Sequence, residues 1–282
     1  MSVIGDDAKE QATVEDLQQI SLKHSAAEKV RDIQNNRSPN PRRLLVAEGL
    51  FENNIVLEHG VVVDTFFWCP EAAYSAEARK RSAELVARAR RAFRISEKTL
   101  SRLAERPNPD GLLSLAELPQ WGPQTIPLGK SALVLVTDAV EIPGNLGTLL
   151  RTLDACGADC LIMTNRRTRM THPKVLRSSQ GMVMKVPSFE FEDTADAVAW
   201  LKRNRFNIFI ADTDKSGNYR RMDYRGRTAL VVGSERYGVS APWYDAGFQR
   251  VGIPMMGDAD SLNVAISASV MLYEARAQKE NW

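Results

Sequence analysis

The stretch ALVLVTDAVEIPGNLGTLLRTLDACG, residues 132–157, decides the fold class. It begins with a near-continuous apolar run, crosses a loop that contains proline and glycine, and continues with apolar residues at helical spacing. Near-continuous apolar strands that alternate with helices are typical of a parallel sheet covered on both faces. The stretch therefore predicts an α/β fold.

The second half of the chain repeats this alternation. Further strands are predicted over 160–164, 206–211, 228–233 and 250–254, and helices over 146–157, 173–181, 194–204 and 262–280. Ligands of such sheets bind at the carboxyl ends of the strands. The loops that follow the strands are therefore where a site is expected.

The first half predicts a smaller α/β unit, with strands over 43–49 and 61–68, helices over 49–60 and 75–93, and a last strand after a turn at 108–111. We expect four segments: an acidic arm over 1–22, a small α/β domain over 23–118, a linker over 119–130 and the parallel-sheet domain over 131–282. The arm carries five acids against one lysine. Residues 23–106 carry 16 Lys and Arg against 11 Asp and Glu, so RNA would bind there first.

Composition excludes several classes of protein. The formal net charge is only +2, so a nucleic acid would need a local basic patch. No apolar run reaches about 18 residues and the amino terminus is acidic, so we expect a soluble, cytoplasmic protein with no membrane segment. The cysteines at 69, 156 and 160 form no C-x-x-C pair, and we expect buried thiols, although the last two could in principle face one metal ion.

Three loops carry polar residues that point to a site. The first, EIPGNLGTLLR, places Asn145 between two glycines and Arg151 in the following helix; the alternative is an ordinary turn with a solvated arginine. The second, VVGSERYGVS, places Glu235 after an apolar strand; the alternative is that Glu235 simply lies near a helix N-terminus and is stabilised by the helix dipole. In the third, Ser261 is a plausible N-cap of the last helix, and capping leaves Asn263 unexplained. All three loops follow strands, so we expect them to converge.

These three stretches, in this order, resemble the three motifs of the TrmH (SpoU) family of RNA ribose 2′-O-methyltransferases, within the SPOUT superfamily. The resemblance covers roughly residues 131–278. The matching residues are Asn145, Gly147 and Arg151 in the first motif, Gly233, Glu235 and Gly238 in the second, and Ile253, Pro254, Ser261, Leu262 and Asn263 in the third.

The resemblance implies a deep trefoil knot that binds S-adenosylmethionine and a homodimer formed through the knotted domains. By motif, the implied cofactor-binding residues are Gly233, Ser234, Gly238, Ile253, Met255 and Leu262. The implied catalytic residues are Asn145, Arg151, Glu235, Ser261 and Asn263. No metal is implied, and a Rossmann G-x-G-x-x-G fingerprint is absent from the first loop.

In the family, the arginine that matches Arg151 is the proposed proton acceptor or activator. A guanidinium stays protonated, so we favour Arg151 as the group that binds phosphate and stabilises the developing alkoxide. Glu235 is expected to orient Arg151 or Asn263. The histidines at 24, 59 and 172 match no motif and are expected to be structural.

The amino-terminal half resembles the ribosomal-protein-like substrate-binding domain that often precedes this catalytic domain. Arg37, Arg42 and Arg43 are candidates for phosphate contacts, and the alternative for each is a solvated arginine. The resemblance favours 23S ribosomal RNA as substrate. Three alternatives stay open: a tRNA ribose methyltransferase, a catalytically silent RNA-binding or ribosome-assembly protein and, more distantly, a nicotinamide-dependent oxidoreductase.

Overall fold

The computed structural model describes residues 13–37, 39–214 and 216–282, and the chain divides into two units between Leu118 and Pro119. Most of the predicted acidic arm, residues 1–12, lies outside the described residues. Across the described ranges, none of the helices combines the length and apolar character that crossing a membrane requires.

The first unit is a five-stranded sheet with its helices between the strands. Its elements are β1 (Gln19–Ile20), α1 (Ser25–Gln34), β2 (Leu44–Glu48), α2 (Gly49–Glu58), β3 (Val63–Trp68), α3 (Ala76–Arg88), β4 (Arg91–Ile95), α4 (Glu97–Leu103) and β5 (Leu112–Glu117). The strand order is β1-β4-β3-β5-β2. Strands β1, β4 and β3 are parallel, whereas β5 runs antiparallel to both β3 and β2, so the sheet is mixed.

Two sequence predictions are corrected in this unit. The helix predicted over 75–93 ends at Arg88, and residues 91–95 form β4, because this segment pairs with β3 on one side and β1 on the other. The end of the predicted arm over 1–22 is also part of the sheet, because Gln19–Ile20 forms β1, which pairs with β4, and Ile20 is buried.

The second unit is a seven-stranded sheet in which every strand pair is parallel, as predicted. Its elements are β6 (Leu133–Asp138), α5 (Pro143–Ala155), β7 (Cys160–Thr164), α6 (Pro173–Ser179), β8 (Ser188–Phe191), α7 (Thr194–Arg203), β9 (Asn207–Ala211), β10 (Gly217–Asn218), β11 (Thr228–Val232), α8 (Ala241–Asp245), β12 (Gln249–Gly252) and α9 (Val264–Glu280). The strand order is β10-β12-β9-β11-β6-β7-β8. Strands β8 and β10 and helix α8 were not among the predicted elements.

The segment predicted as a linker, 119–130, belongs to the second unit. Ile126 is buried in the core of that unit, and Trp121 and Leu128 pack against the same core. The Arg227 guanidinium also donates to the carbonyl oxygens of Leu128 and Gly129, at 3.0 and 2.9 Å. This segment therefore packs as part of the second unit.

Helix α9 packs along α5. The hydroxyls of Thr152 and Ser269 lie 2.9 Å apart, and the Arg276 guanidinium donates to the carbonyl oxygen of Cys156 at 2.8 Å, just past the end of α5. All three cysteines are free and buried, which confirms the prediction of buried thiols.

Candidate functional site

The three polar loops meet at the carboxyl edge of the parallel sheet, as predicted. Strands β6 and β11 are neighbours in the sheet, and β12 lies beyond β9 on the side of β11. The loops that follow these strands enclose a cavity of about 520 Å³. The cavity is lined by Ile142, Ala211, Asp212, Thr213, Val232, Gly233, Ser234, Glu235, Gly238, Tyr244, Ile253, Met255, Asp260, Ser261, Leu262, Asn263, Val264, Ser267 and Met271.

A chain of hydrogen bonds connects the three loops. The Asn263 side-chain amide donates to Asn145 Oδ1 at 3.1 Å, and the Asn145 amide donates to Glu235 Oε1 at 2.6 Å. The other carboxylate oxygen of Glu235 accepts from the backbone N–H of Glu141 at 3.4 Å. Residues 118 and 90 positions apart in the sequence are thus held in one network.

The N-cap of α9 is Asn263, which corrects the assignment to Ser261. Asn263 Oδ1 accepts from the backbone N–H of Ala265 at 2.9 Å, whereas the Ser261 hydroxyl donates to Asp260 Oδ1 at 3.0 Å. The helix begins at Val264, so Ser261 lies too early in the chain to cap it. Ser261 is instead one of the residues that line the cavity.

The glycines of the motifs serve packing as well as access. A Cβ on Gly233 would lie 2.1 Å from the backbone of Gly238, because the loop folds back on itself there through a bridge between Ser234 and Gly238. Gly147 was expected to let the backbone approach a ligand. It lies in α5 instead, where a Cβ would lie 1.9 Å from Ser178 Oγ, so it permits close packing with α6.

Arg151 stands apart from the network. It is exposed on α5, is absent from the cavity lining, and forms no ion pair with the residues that the structure describes. Glu235 was expected to orient Arg151 or Asn263, but its direct partner is Asn145, through which it reaches Asn263. The guanidinium of Arg151 is therefore available to an anion from solvent.

The cavity combines an apolar wall with acidic groups. Ile142, Ile253, Met255 and Leu262 supply apolar surface, and three carboxylates, from Asp212, Glu235 and Asp260, supply negative charge. No lysine or arginine is among the described residues that line it. Such a lining suits a partly apolar ligand that carries positive charge.

One wall of the cavity carries a tyrosine with a perturbed hydroxyl. Burial and the neighbouring Asp212 carboxylate raise the pKa of Tyr244 to about 12, although the nearby Arg250 cation opposes this. The Arg250 guanidinium lies 4.5 Å from the centre of the Tyr244 ring and 3.5 Å from an Asp212 oxygen. Tyr244 is therefore a neutral hydrogen-bonding group at ordinary pH.

All six residues expected to bind the cofactor line the cavity, and their role stays a prediction. Other lining residues were not predicted. Asp212 and Thr213 follow strand β9, so the rule that ligands bind at carboxyl ends of strands could have found them. Tyr244, Ser267 and Met271 lie on helices, and no local pattern marks them as lining a cavity.

The three arginines proposed for RNA differ in their surroundings. Arg37 is exposed. The Arg43 backbone has a left-handed φ of 54°, and its carbonyl oxygen accepts from Leu118 N–H at 2.9 Å. The Arg42 guanidinium pairs with Asp64 at 2.5 Å and also with Glu117, and it shares these two carboxylates with Arg91 and Arg90. Its role as a phosphate ligand stays a prediction.

Asp64 is the centre of this ion-pair network. Burial raises the pKa of its carboxyl, but hydrogen bonds from Thr65 and Arg91 and the charges of Arg42 and Arg91 outweigh burial, so the pKa lies below its ordinary value. The carboxylate is buried while both arginines are partly exposed. The network therefore stabilises the first unit through its one buried charge.

The histidines have structural contacts, as expected. His24 Nδ1 accepts from the backbone N–H of Ala26 and caps α1, and His172 Nδ1 does the same for Lys174 at the start of α6. His59 ends α2.

A family model matches the second unit, and a curated relative matches most of the chain. The model of the SpoU rRNA Methylase family matches residues 132–273. The 23S rRNA (uridine(2479)-2′-O)-methyltransferase of Streptomyces viridochromogenes is 30% identical over 233 residues, which cover 80% of this chain and 80% of that relative.

Two solved structures resemble most of the chain. The AdoMet-bound rRNA methyltransferase from Sinorhizobium meliloti has a TM-score of 0.82 at 26% identity and covers 92% of this chain and 97% of that chain. The SpoU methyltransferase AviRb from Streptomyces viridochromogenes, in complex with AdoMet, has a TM-score of 0.80 at 26% identity and covers 91% and 98%. The likeness therefore includes residues of both units.

Proposed function

The chain belongs to the SpoU rRNA methylase family, and from this membership we propose that it transfers a methyl group from S-adenosylmethionine to a ribose 2′-hydroxyl of RNA. The observation that carries the proposal is the hydrogen-bond chain from Asn263 through Asn145 to Glu235, which joins all three motif loops beside one cavity. A protein that kept the fold without the catalytic activity would not need this set of hydrogen bonds between the motif loops.

The cavity fits S-adenosylmethionine in size and charge. Its volume of about 520 Å³ lies within the range of roughly 300–1,000 Å³ that is usual for small-molecule sites. The cofactor has an apolar, stackable adenine and a net positive charge, and the lining offers apolar residues together with three carboxylates. Gly233, Ser234, Gly238, Ile253, Met255 and Leu262 would hold it. When bound, it supplies an electrophilic methyl group on a sulfonium sulfur.

Arg151 is the group that would supply positive charge for the reaction, although it does not line the cavity. Because its guanidinium stays protonated, it binds the phosphate beside the target ribose and stabilises negative charge that develops on the 2′-oxygen as the hydroxyl loses its proton. Its exposure and lack of an ion pair among the described residues leave it open to the RNA.

The remaining polar groups position the reactants. Glu235 fixes the Asn145 amide, which in turn fixes Asn263 at the start of α9, so these side chains keep one geometry before substrate arrives. Ser261 lines the cavity, and its hydroxyl, which now donates to Asp260, can rotate to a ligand atom. These four residues therefore orient the ribose and the methyl donor relative to each other.

We favour 23S ribosomal RNA over tRNA as the substrate. Two of the relatives that cover at least 80% of the chain, and so part of its first unit, are named as rRNA methyltransferases. In this proposal the first unit binds RNA, with Arg37, Arg42 and Arg43 as phosphate contacts, and the ion pairs of Arg42 with Asp64 and Glu117 hold its guanidinium in place. The protein would act in the cytoplasm, where ribosomes are assembled.

We further propose the trefoil knot and the homodimer implied by the family. The dimer is supported by an apolar stripe on α9, where Ile266 and Tyr273 are 52% and 44% exposed and Val270 lies between them at helical spacing. Analytical ultracentrifugation tests the dimer: a monomer at micromolar concentration would overturn it.

Transfer of labelled methyl from S-adenosylmethionine to unmodified 23S rRNA tests the function. We expect transfer by the native protein, none above background by Arg151→Ala, and normal transfer by the matched control Arg203→Ala, an exposed arginine at the end of α7. If the native protein transfers no methyl to rRNA or tRNA, the proposal fails and the catalytically silent alternative is favoured.

A further inference from the structure

The loop after β7 and the helix that follows it form a strongly basic segment. Residues 165–178, NRRTRMTHPKVLRS, hold five lysines and arginines and no acid. All five are exposed, namely Arg166, Arg167, Arg169, Lys174 and Arg177. We call this segment the basic loop. It leaves the carboxyl end of β7, which is the strand next to β6, so it lies at the same edge of the sheet as the cavity.

Buried side chains and hydrogen bonds hold the backbone of the basic loop in place. Thr168 and Met170, which alternate with the arginines, are each only 5% exposed. The Asn165 amide donates to the buried Asp138 carboxylate at 2.6 Å, and the same carboxylate accepts from the backbone N–H of Ser240, at the end of the second motif loop. The arginines therefore project from a backbone in a defined position.

The anchoring also connects the basic loop to the reacting centre. The Thr168 hydroxyl donates to the carbonyl oxygen of Glu141, and the backbone N–H of Glu141 donates to Glu235. Two hydrogen bonds thus separate the basic loop from the carboxylate that orients Asn145.

The charge of the basic loop is only partly compensated. Arg166 pairs with Glu190 at 2.6 Å, whereas the side chains of Arg167 and Lys174 make no hydrogen bond or ion pair with any described residue. Burial lowers the pKa of His172, and the positive charges of Lys174 and Arg169 lower it further. The cavity wall, in contrast, is acidic and has no described basic residue.

We propose that the basic loop binds the sugar-phosphate backbone of the RNA next to the modified nucleotide, with Arg167 and Lys174 as the main contacts. The inference rests on the proposed function and adds to it a substrate surface on the catalytic unit. An RNA that reaches an acid-lined cavity needs phosphate neutralisation beside it, and the basic loop is the cationic segment that hydrogen bonds tie to this site.

Salt dependence of RNA binding tests this proposal independently of methyl transfer. The variant is Arg167→Gln/Lys174→Gln, and the matched control is Lys130→Gln/Arg203→Gln. The control also removes one exposed lysine and one exposed arginine, but these lie before β6 and at the end of α7, at the amino edge of the sheet. The dissociation constant for a fluorescent oligouridylate is measured between about 50 and 200 mM salt.

Each lost phosphate contact lowers the salt slope by about 0.7 for single-stranded RNA. Two contacts lower it by about 1.4, so over a fourfold rise in salt the native protein should lose about sevenfold more affinity than the variant. The control should keep the native slope. The variant Arg167→Lys/Lys174→Arg, which keeps both positive charges, should keep the native slope too, because phosphate contacts need charge rather than residue identity.

With unmodified 23S rRNA we expect a raised KM for RNA, an unchanged kcat, and unchanged binding of S-adenosylmethionine by calorimetry. Equal slopes for the variant and the control would overturn the proposal, and so would loss of cofactor binding, which would indicate a purely structural role. If the native protein transfers no methyl group but the slopes still differ, the proposed function fails and the phosphate surface stands.

Discussion

Asn263 is predicted to have two separable roles, and two substitutions distinguish them. Its Oδ1 caps α9 by accepting from Ala265, while its amide donates to Asn145. Asn263→Ala removes both interactions. Asn263→Ser keeps a good cap, since serine and asparagine are about equally favourable at this position, but it lacks the amide donor.

The two variants should differ in stability. Loss of an N-cap side chain costs about 1 kcal/mol, within a range of roughly 0.5–2 kcal/mol. The hydrogen bond to Asn145 is exposed, so its loss lies near the low end of about 0.5–1.5 kcal/mol. Urea unfolding should therefore show Asn263→Ala less stable than Asn263→Ser by about 1 kcal/mol, and Asn263→Ser within about 0.5 kcal/mol of the native protein.

The two variants should nevertheless be equally poor enzymes. Both release Asn145 from the third motif loop, and a misplacement of about 1 Å at a reacting centre can cost about 100-fold in rate. Labelled methyl transfer at saturating RNA measures this loss. A fully active Asn263→Ser would refute the role of the hydrogen-bond chain, and equal stabilities of the two variants would refute the capping role.

Two further predictions concern packing and pH. Gly147→Ala should lower the free energy of unfolding by about 1–3 kcal/mol, because its Cβ would lie 1.9 Å from Ser178 Oγ and 2.7 Å from the Val175 carbonyl oxygen. Gly144→Ala is the control, since a Cβ there would have no described atom within 4 Å, and it should be neutral in the same urea titration. Asp64→Asn should destabilise the chain at pH 7 and progressively less below about pH 4. The reason is that a carboxyl whose folded pKa lies below its ordinary 3.8 contributes stability that is lost as pH falls through the folded pKa. A difference in the free energy of unfolding that stays constant from pH 7 to pH 3 would contradict this.

The central strands of the second unit, β6, β7 and β11, could be predicted because they are buried on both faces. Segments such as 132–136 and 229–232 are apolar throughout, so their pattern needs no knowledge of their neighbours. Strand β4 could not be predicted in this way. Arg91 and Arg94 continue the charged pattern of α3, and only pairing with β1 and β3 makes this segment a strand. Tertiary pairing thus overrides a local helical pattern.

The positions of the site loops could be predicted, but not their connections. The rule for parallel sheets brings the three loops to one edge without any contact being known. Which side chains form hydrogen bonds depends on small differences in position between residues that are far apart in the sequence. Glu235 therefore pairs with Asn145 rather than Arg151, and nothing in the sequence of either loop distinguishes these partners.

The N-cap of α9 shows how such a distance is set. Hydrogen bonds connect α5 and α9, with the residues that flank them, in nearly constant register: Asn145 with Asn263, Thr152 with Ser269, and Cys156 with Arg276, at separations of 118, 117 and 120 residues. The two helices therefore run parallel and rise together at about 1.5 Å per residue. Contacts at the middle and far end of α5 fix where α9 must begin, and the residue at that point both caps the helix and reaches Asn145. A one-residue shift of α9 would break the cap and the hydrogen-bond chain together, so the packing of these helices assembles the candidate site.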